Sequence, residues 1–347
     1  MRTGWKTLLI FSFALVFVYI LQSWLQCNNS VGKGCWTTVF DISMKEYSLS
    51  SYKQPTPLTK PGNEVEQSQR LSHLNDFCQH RRKQNQYKTK RKDLKFGDSF
   101  IYNDKKKFVY CRIPKVACTT WKKVVLYTLG IVNTHPVNTS LDTLYSHRMP
   151  YMEDIKNKTG RIRYIQNHYF SFMFSRHPFD RLFSVYRNKF MDPDPYGGVA
   201  SYLGYYGPII LRLNGKSPFN HPTRTIGDQK YFDISFEMFL TFLTKGGLNA
   251  DDHWAPQTSL CQICKYKFDF IGRFEHLSSD SNKIFKRINT DLTFSIERDY
   301  KQRTIDMLKE AYEKIPVKLL IDIFLFYKDD FDAFGYNPNE YFHFFFI

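Results

Sequence analysis

No G-x-x-x-x-G-K-[ST] run occurs in the 347 residues, which excludes a P-loop nucleoside triphosphate site and leaves a kinase as the weaker enzyme reading. A convincing G-x-G-x-x-G and an H-E-x-x-H are missing too, so the usual supports for a dinucleotide-dependent dehydrogenase and for a zinc protease are gone. Cys261-x-x-Cys264 has no second pair at suitable spacing, and a disulfide suits these cysteines better than a closed zinc site. There is no internal repeat and no second apolar run as long as the one near the N-terminus. Acids are scarce: 33 Asp and Glu face 49 Lys and Arg, a formal charge of +16. That balance favours a polyanionic partner, whether nucleic acid, acidic lipid or acidic polysaccharide, without choosing among them.

The N-terminus narrows the choice. Arg2 and Lys6 precede an apolar run from Leu8 to Leu25 broken only by Ser12, Gln22 and Ser23, long enough to span a bilayer. Gln26, Cys27, Asn28 and Asn29 follow it instead of a small-residue cleavage site, so the run reads as an uncleaved anchor. The positive-inside rule then predicts a cytosolic stub over 1–6, a transmembrane signal anchor over 7–25 and a luminal body, a type II topology. An acidic glycan, not nucleic acid, is the expected partner there. Asn28, Asn138 and Asn157 each begin an N-x-[ST] glycosylation triplet, consistent with this orientation. Cys27, Cys35, Cys78, Cys111, Cys118, Cys261 and Cys264 all lie beyond the anchor in an oxidising compartment, and the odd count leaves at least one free or intermolecular. Cys27 and Cys35 either bridge two copies into a homodimer or remain unpaired stem thiols.

Residues 26–95 read as a luminal stem and basic linker. From Asn28 to Gln69 the chain is polar, with Pro55, Pro57 and Pro61 close together, which predicts an extended linker. The stretch holding Arg81, Arg82, Lys83, Lys88, Lys90, Arg91, Lys92 and Lys95 against Asp93 is either a solvated face or a polyanion-binding segment. Over 96–347 short apolar runs alternate with helical stretches, the pattern of an α/β domain with a mainly parallel sheet.

Two strand-to-helix junctions stand out. Phe108 to Ile113 reads as a strand stopped by Pro114, and a helix fits from Thr119 or Thr120 through Trp121, Val124, Val125 and Leu129 to Gly130. The loop between them suits a phosphate or sulfate. Lys115 adds a cation, Ala117 allows close backbone approach, and Thr119 and Thr120 can cap the helix and donate to oxyanions. At the second junction, Tyr169 to Phe174 breaks at Arg176-His177-Pro178. A helix follows with Phe179, Leu182, Phe183, Tyr186 and Phe190 on one face and Arg181, Ser184, Arg187 and Lys189 on others. An open α/β sheet binds its ligand at the carboxyl edge, so two anion corners there fit one nucleotide with phosphates at both ends.

These blocks resemble the carbohydrate sulfotransferases of the chondroitin and dermatan 4-O-sulfotransferase, GalNAc 4-O-sulfotransferase and HNK-1 sulfotransferase type. Arg112 to Lys122 looks like that family's 5'-phosphosulfate loop, and Arg176 to Arg187 like its 3'-phosphate motif. His253-Trp254-Ala255-Pro256-Gln257, Leu260 to Cys264, Phe268 to Glu275 and Tyr327 to Tyr336 extend the likeness, which spans about Phe108 to Tyr336. His177 stands where an acid is common and Thr120 where Asn is frequent. The resemblance implies a P-loop-like sulfotransferase fold in the Golgi lumen that binds the donor PAPS (3'-phosphoadenosine 5'-phosphosulfate). Pro114, Lys115, Val116, Ala117, Cys118, Thr119 and Thr120 would form one phosphate corner. Arg176, His177, Pro178, Phe179, Asp180, Arg181, Leu182, Phe183 and Ser184 would form the other, with Arg176 and Ser184 on the 3'-phosphate.

Lys115 suits neutralisation of the leaving oxygen, and no metal is required by the scheme. The acceptor hydroxyl needs a base; His253, in the Asp251-Asp252-His253-Trp254 block, is the candidate and Glu275 the reserve. The 17% aromatic content fills the core or stacks on sugar rings. By resemblance the acceptor is the 4-O-position of GalNAc in chondroitin or dermatan, with an HNK-1 type glucuronic acid acceptor, a non-catalytic acidic-glycan receptor and a luminal glycan kinase as alternatives. Loops such as 197–228 would shape acceptor choice.

Overall fold

The computed structural model describes residues 64–83, 99–155, 158–191, 198–226, 228–294 and 299–338. The anchor at 7–25, Cys27, Cys35, Asn28, Asn157 and the basic residues from Lys88 to Lys95 lie outside the described residues. Among the described residues no helix is long and apolar enough to cross a membrane. The chain divides into two compact units, residues 56–336 and a second of 1–55 with 337–347. Every element below belongs to the first; of the second, residues 337 and 338 are described.

The architecture is α/β around a four-stranded mixed sheet. β1 (Phe100–Asn103) runs antiparallel to β2 (Phe108–Cys111), and β2, β3 (Phe170–Ser175) and β6 (Phe270–Arg273) run parallel, in the order β1-β2-β3-β6. β2, β3 and β6 are buried almost throughout; β2 reads as a continuous apolar run, whereas β3 alternates in sequence although Ser171 and Ser175 are buried with its apolar residues. The crossover from β2 to β3 carries α2 (Cys118–Leu129), α3 (Leu141–Ser146) and α4 (Lys158–His168). That from β3 to β6 carries α5 (Pro178–Tyr186), α6 (Val199–Leu213), the hairpin β4–β5 (Thr223–Ile226 and Gln229–Phe232), α7 (Phe236–Thr244) and α8 (Gln257–Leu260). α9 (Leu277–Arg287), α10 (Asp299–Glu313) and α11 (Val317–Phe334) complete the body.

Aromatic side chains make the core. Trp121 of α2 packs on Phe172 at 4.7 Å, Phe174 at 5.6 Å and Tyr110 at 5.7 Å, and meets Phe285 of α9 at 5.4 Å, so two helices cover one sheet face. Gly272 of β6 is required by this packing, because a Cβ there would sit 2.3 Å from the Phe174 ring. Cys111, on the other face by strand alternation, is disulfide-bonded to Cys261 just after α8. Helix α2 ends where Gly130 turns left-handed at φ 69° and returns its N–H to Leu126 and Tyr127, a glycine C-cap.

The expected linker is corrected at its C-terminal part. Glu64–Lys83 forms a helix, α1, that packs on β6 and α11, so the folded body begins well before residue 96. Glu66, Arg70, Leu74 and Cys78 recur every fourth residue and are all buried, one row along the helix. Arg70 donates to Ile271 O at 2.9 Å, to Asp280 at 2.7 Å and to Glu66, and Cys78 is disulfide-bonded to Cys264 with Cα atoms 5.2 Å apart. Cys261 and Cys264 thus each pair with a distant cysteine. Arg81 pairs with Asp329, and Arg82 donates to Cys264 O at 2.8 Å, so the described start of the basic stretch is engaged with its own body.

Candidate active site

The carboxyl ends of β2 and β3 and the starts of α2 and α5 build the site. Between β2 and α2 the backbone takes two left-handed steps, at Lys115 (φ 68°) and Ala117 (φ 55°). Neither residue is glycine, and such conformations cost about 1–3 kcal/mol each, a strain that clusters at ligand-binding turns. Ala117 is the N-cap of α2 and has no side-chain acceptor to offer its first N–H groups, which leaves the positive helix end for an anion.

Cations crowd this corner. Burial pushes the Lys115 ammonium down to about 8, and the charges of Arg176, Lys189 and Arg187 push the same way while Cys118 opposes them. Burial and Arg112 likewise lower Lys122. The Arg176 guanidinium lies 4.2 Å over the Phe274 ring and donates from Nη1 to Lys115 O at 3.0 Å, joining the two junctions. Its backbone is held by Gln257, which accepts from Arg176 N at 3.0 Å and donates to Arg176 O at 2.8 Å. Asp330 fixes Gln257 in turn, accepting from the N–H groups of Gln257 and Thr258 at the start of α8. Cys118 is a free thiol.

Two side chains expected on outer helix faces are instead buried. Arg181 is 1% exposed and bonds three carbonyls: Pro114 O from Nε at 3.0 Å, Ala255 O from Nη1 at 2.7 Å and Asp252 O from Nη2 at 3.1 Å. It belongs to the scaffold joining the Pro114 loop to the His253 loop. Lys189, 8% exposed, lies in a π-helical turn, Arg187–Met191, that continues α5. Phe179, Leu182 and Phe183 are core, Pro178 opens α5, and Ser184 is half-buried.

His177 occupies an apolar setting, edge-on to Phe331 at 5.3 Å and Tyr336 at 5.4 Å, with Nδ1 3.7 Å from Asp180. Its backbone N–H donates to Glu275 Oε1 at 2.8 Å, while Glu275 Oε2 accepts from the Tyr336 hydroxyl at 3.0 Å. One Glu275 oxygen therefore braces the β3–α5 turn and the other holds Tyr336, a structural use for the reserve base.

His253 has the setting of a base. Asp251 Oδ1 accepts its backbone N–H at 2.8 Å and lies 2.6 Å from Nδ1. The Tyr202 hydroxyl of α6 donates to Asp251 Oδ2 at 2.9 Å and sits 3.0 Å from the same Nδ1. Burial works against the Asp251 charge, but these bonds outweigh it and hold the carboxyl below its usual range. With Asp251 ionised, Nδ1 carries the imidazole proton and Nε2 the lone pair. Burial lowers His253, and the charges of Lys189 and Arg112 lower it too, against the pull of Asp251, so the neutral base persists to lower pH than an ordinary histidine. Trp254 beside it is fully buried, donating to Gly247 O at 2.8 Å and packing 5.1 Å from Tyr206, so it serves the core and not a sugar ring. Arg112 adds another link, 3.6 Å from Asp252.

Sequence reasoning missed Tyr202, the burial of Lys189 and the linking role of Arg181. For Arg181 a signal existed: Pro178 and Val185, at helical spacings of three and four, are buried with it. Asn138 is exposed in the turn before α3, whose first turn is capped by Ser140 through Thr143 N at 3.0 Å. Among the described residues no group of three or more His, Cys, Asp or Glu is arranged to hold a metal ion.

Comparison with known proteins follows the same residues. The Sulfotransferase family matches residues 98–337. Carbohydrate sulfotransferase 14 of Mus musculus is 33% identical over 246 residues, 69% of this chain and 60% of that protein, and its Homo sapiens counterpart is 32% identical over the same shares. Carbohydrate sulfotransferase 11 of Rattus norvegicus is 27% identical over 322 residues, 87% of this chain and 85% of that protein. The chain thus covers about three-fifths of the length of the first of these relatives. No solved structure matches. From the two strand-to-helix junctions to Tyr336, the chain belongs to the sulfotransferase family.

Proposed function

We propose that this protein transfers a sulfuryl group from PAPS to a glycan hydroxyl, with the 4-O-position of GalNAc in chondroitin or dermatan as acceptor, on a P-loop-like sulfotransferase fold. The observation that carries the reading is Arg181, whose one guanidinium holds both the strained Lys115 loop and the loop of the Asp251–His253 pair. An anion cradle and an oriented base share one buried fixture, as a transfer between an anionic donor and a hydroxyl demands.

The residues fit the donor. The crowded cations and the uncapped start of α2 want an anion, and Pro114 to Thr120 would receive the 5' end while Arg176 and Ser184 take the 3'-phosphate. PAPS supplies the sulfuryl group. Lys115 and the first N–H groups of α2 neutralise charge on the leaving oxygen, the main task in a transfer of this loose type. Nε2 of His253 takes the acceptor hydroxyl proton; Asp251 and Tyr202 keep Nδ1 protonated and the ring fixed. His177 and Asp180 shape the β3–α5 turn.

The relatives named carbohydrate sulfotransferases support a glycan acceptor, and the formal charge of +16 favours a polyanionic one. The N-terminal apolar run would anchor the chain in the Golgi membrane with the body in the lumen. Two disulfides in the described body and the exposed Asn138 suit that oxidising, glycosylating compartment.

The test is sulfate transfer from labelled PAPS by the full chain, offered chondroitin, desulfated dermatan, heparosan and a GalNAc-capped oligosaccharide. Transfer to chondroitin or dermatan, lost in Lys115→Ala and Arg176→Ala, is expected. Transfer to heparosan alone overturns the acceptor assignment, and folded protein that binds no PAPS overturns the enzyme reading.

A further inference from the structure

The π-helical turn Arg187–Met191 extends α5 toward the base loop, and turns of this kind are frequent at functional sites. It carries Lys189 inward. The ammonium sits 4.4 Å from the centroid of the Tyr202 ring, in a residue only 8% exposed. The hydroxyl of that same tyrosine bonds Asp251 and contacts His253 Nδ1. One aromatic side chain therefore meets the cation with its face and the base pair with its edge. Beside this geometry, the charge of Lys189 lowers both Lys115 and His253, as a cation placed near the two loops does.

The turn is also pinned from outside. Arg224 of β4 donates from Nη1 to Met191 O at 2.6 Å and from Nη2 to Phe190 O, satisfying carbonyls that a helix end leaves unmatched. The β4–β5 hairpin thus fixes the segment that aims Lys189. A lysine serving only as surface charge would need neither burial nor such an anchor.

We propose that Lys189 is a further catalytic residue, whose ammonium contacts the oxygens of the sulfuryl group in transit between the Lys115 loop and the hydroxyl served by His253. The inference rests on the sulfotransferase reading. In a loose transfer, negative charge spreads over the equatorial oxygens of the moving group, apart from that on the leaving oxygen. Lys115 answers the leaving oxygen, and Lys189 answers the others. The bond from sulfur to the donor phosphate oxygen breaks with its electron pair, the acceptor oxygen bonds sulfur, and the proton goes to Nε2; Lys189 stays protonated throughout.

The donor product lacking sulfate, 3',5'-ADP, separates this role from phosphate binding. Its Kd and the turnover of PAPS at saturating acceptor are measured for the full chain and for Lys189→Met, Lys189→Gln and Lys189→Arg. Turnover should fall about 100-fold or more in Lys189→Met, the scale of losing one transition-state donor, with the Kd for 3',5'-ADP changed less than about threefold. Lys189→Arg should recover part of the loss. If Lys189→Met does not fold, Lys189→Gln, of similar length and still polar, reads the same two quantities. A Kd that weakens in step with turnover moves Lys189 to the nucleotide phosphates and overturns the proposal, as does turnover within threefold of wild type. Wild-type protein that neither binds 3',5'-ADP nor transfers sulfate overturns the sulfotransferase reading instead.

Discussion

The two edges of the central sheet carry similar basic side chains and use them in opposite ways. At the amino edge, in the β1–β2 turn, the Lys105 ammonium lies over Gly130 at the end of α2, Lys106 donates to Asn289 O just past α9 at 2.5 Å, and Lys107 reaches the Tyr169 hydroxyl past α4 at 3.2 Å. Arg161 pairs with Asp104 at 2.7 Å, and Arg287 lies 5.6 Å over the Phe170 ring. Parallel β-α connections end their helices at this edge, so negative helix ends meet the cations. At the carboxyl edge the same topology delivers helix starts, and Lys115, Arg176 and Lys189 gather where the helix ends are already positive. The first set meets negative helix ends; the second stands beside positive ones, an arrangement that suits a bound anion. Chain direction, not lysine count, separates the functional surface from the structural one.

The largest contrast should come from removing one lysine at each edge. Lys115→Ala should lower sulfate transfer by about 10³-fold, since it removes a charge from the leaving oxygen in a water-poor site. Lys106→Ala should leave transfer within about twofold, because it changes only a helix-end contact. Parallel assays at saturating acceptor read both, and equal losses would end the distinction between the edges.

Next in size is Asp251→Asn. The wrong tautomer of His253 should then compete, and kcat should fall by about 10²-fold, the lower end of the span of general base catalysis, because the imidazole itself remains. The pH profile gives an independent sign. Burial lowers His253 and Asp251 raises it, so removing the carboxylate should move the acid limb of kcat to still lower pH. A limb that moves upward would mean that another group is the base.

Local sequence carried the two junctions because their signals are local. A strand run, a proline, a cation and a helix with a glycine stop lie within Phe108–Gly130, and the observed β2, α2 and Gly130 cap fall within a residue or two of those signals. Contacts made by polar side chains across the fold were not legible. Glu66 and Arg70 share the buried row of α1, so the helix lacks an apolar stripe and reads as linker, although Leu74 and Cys78 complete the row. The spacing of Arg181 from Pro178 and Val185 hints at its burial, but its partners, the carbonyls of Pro114, Asp252 and Ala255, lie far off in the chain. Cys261 and Cys264 look like partners because they are neighbours, whereas Cys111 and Cys78 reach them across 150 and 186 residues. Tyr202 had no motif, and only α6 folding back over the base loop gives it a role.

A smaller effect should appear in donor-site titration. Lys115, pushed down to about 8, loses its charge as pH rises through that value, and an anion binds the charged form. Affinity for 3',5'-ADP should therefore decline above pH about 8, by at most tenfold per pH unit for one linked proton, with protons taken up on binding near that pH. Calorimetry in buffers of different ionisation enthalpy reads the uptake. Lys115→Met should flatten the dependence, and a wild-type affinity that does not change between pH 7 and pH 9 would remove the lysine from the anion corner.

The smallest expected effect is at the amino edge, and it is one of stability alone. Lys106→Met removes a charge from the carbonyl of Asn289 but keeps the aliphatic stem, so only the helix-end electrostatics change. Urea unfolding should show a loss of about 0.3–1 kcal/mol that shrinks in added salt, as a partly exposed interaction of this kind requires. The Kd for 3',5'-ADP should not move. A weaker Kd would mean that the amino-edge cations act on the donor site through the long-range field, and the division between the two edges would then be one of degree, set by distance from the anion, and not of helix direction.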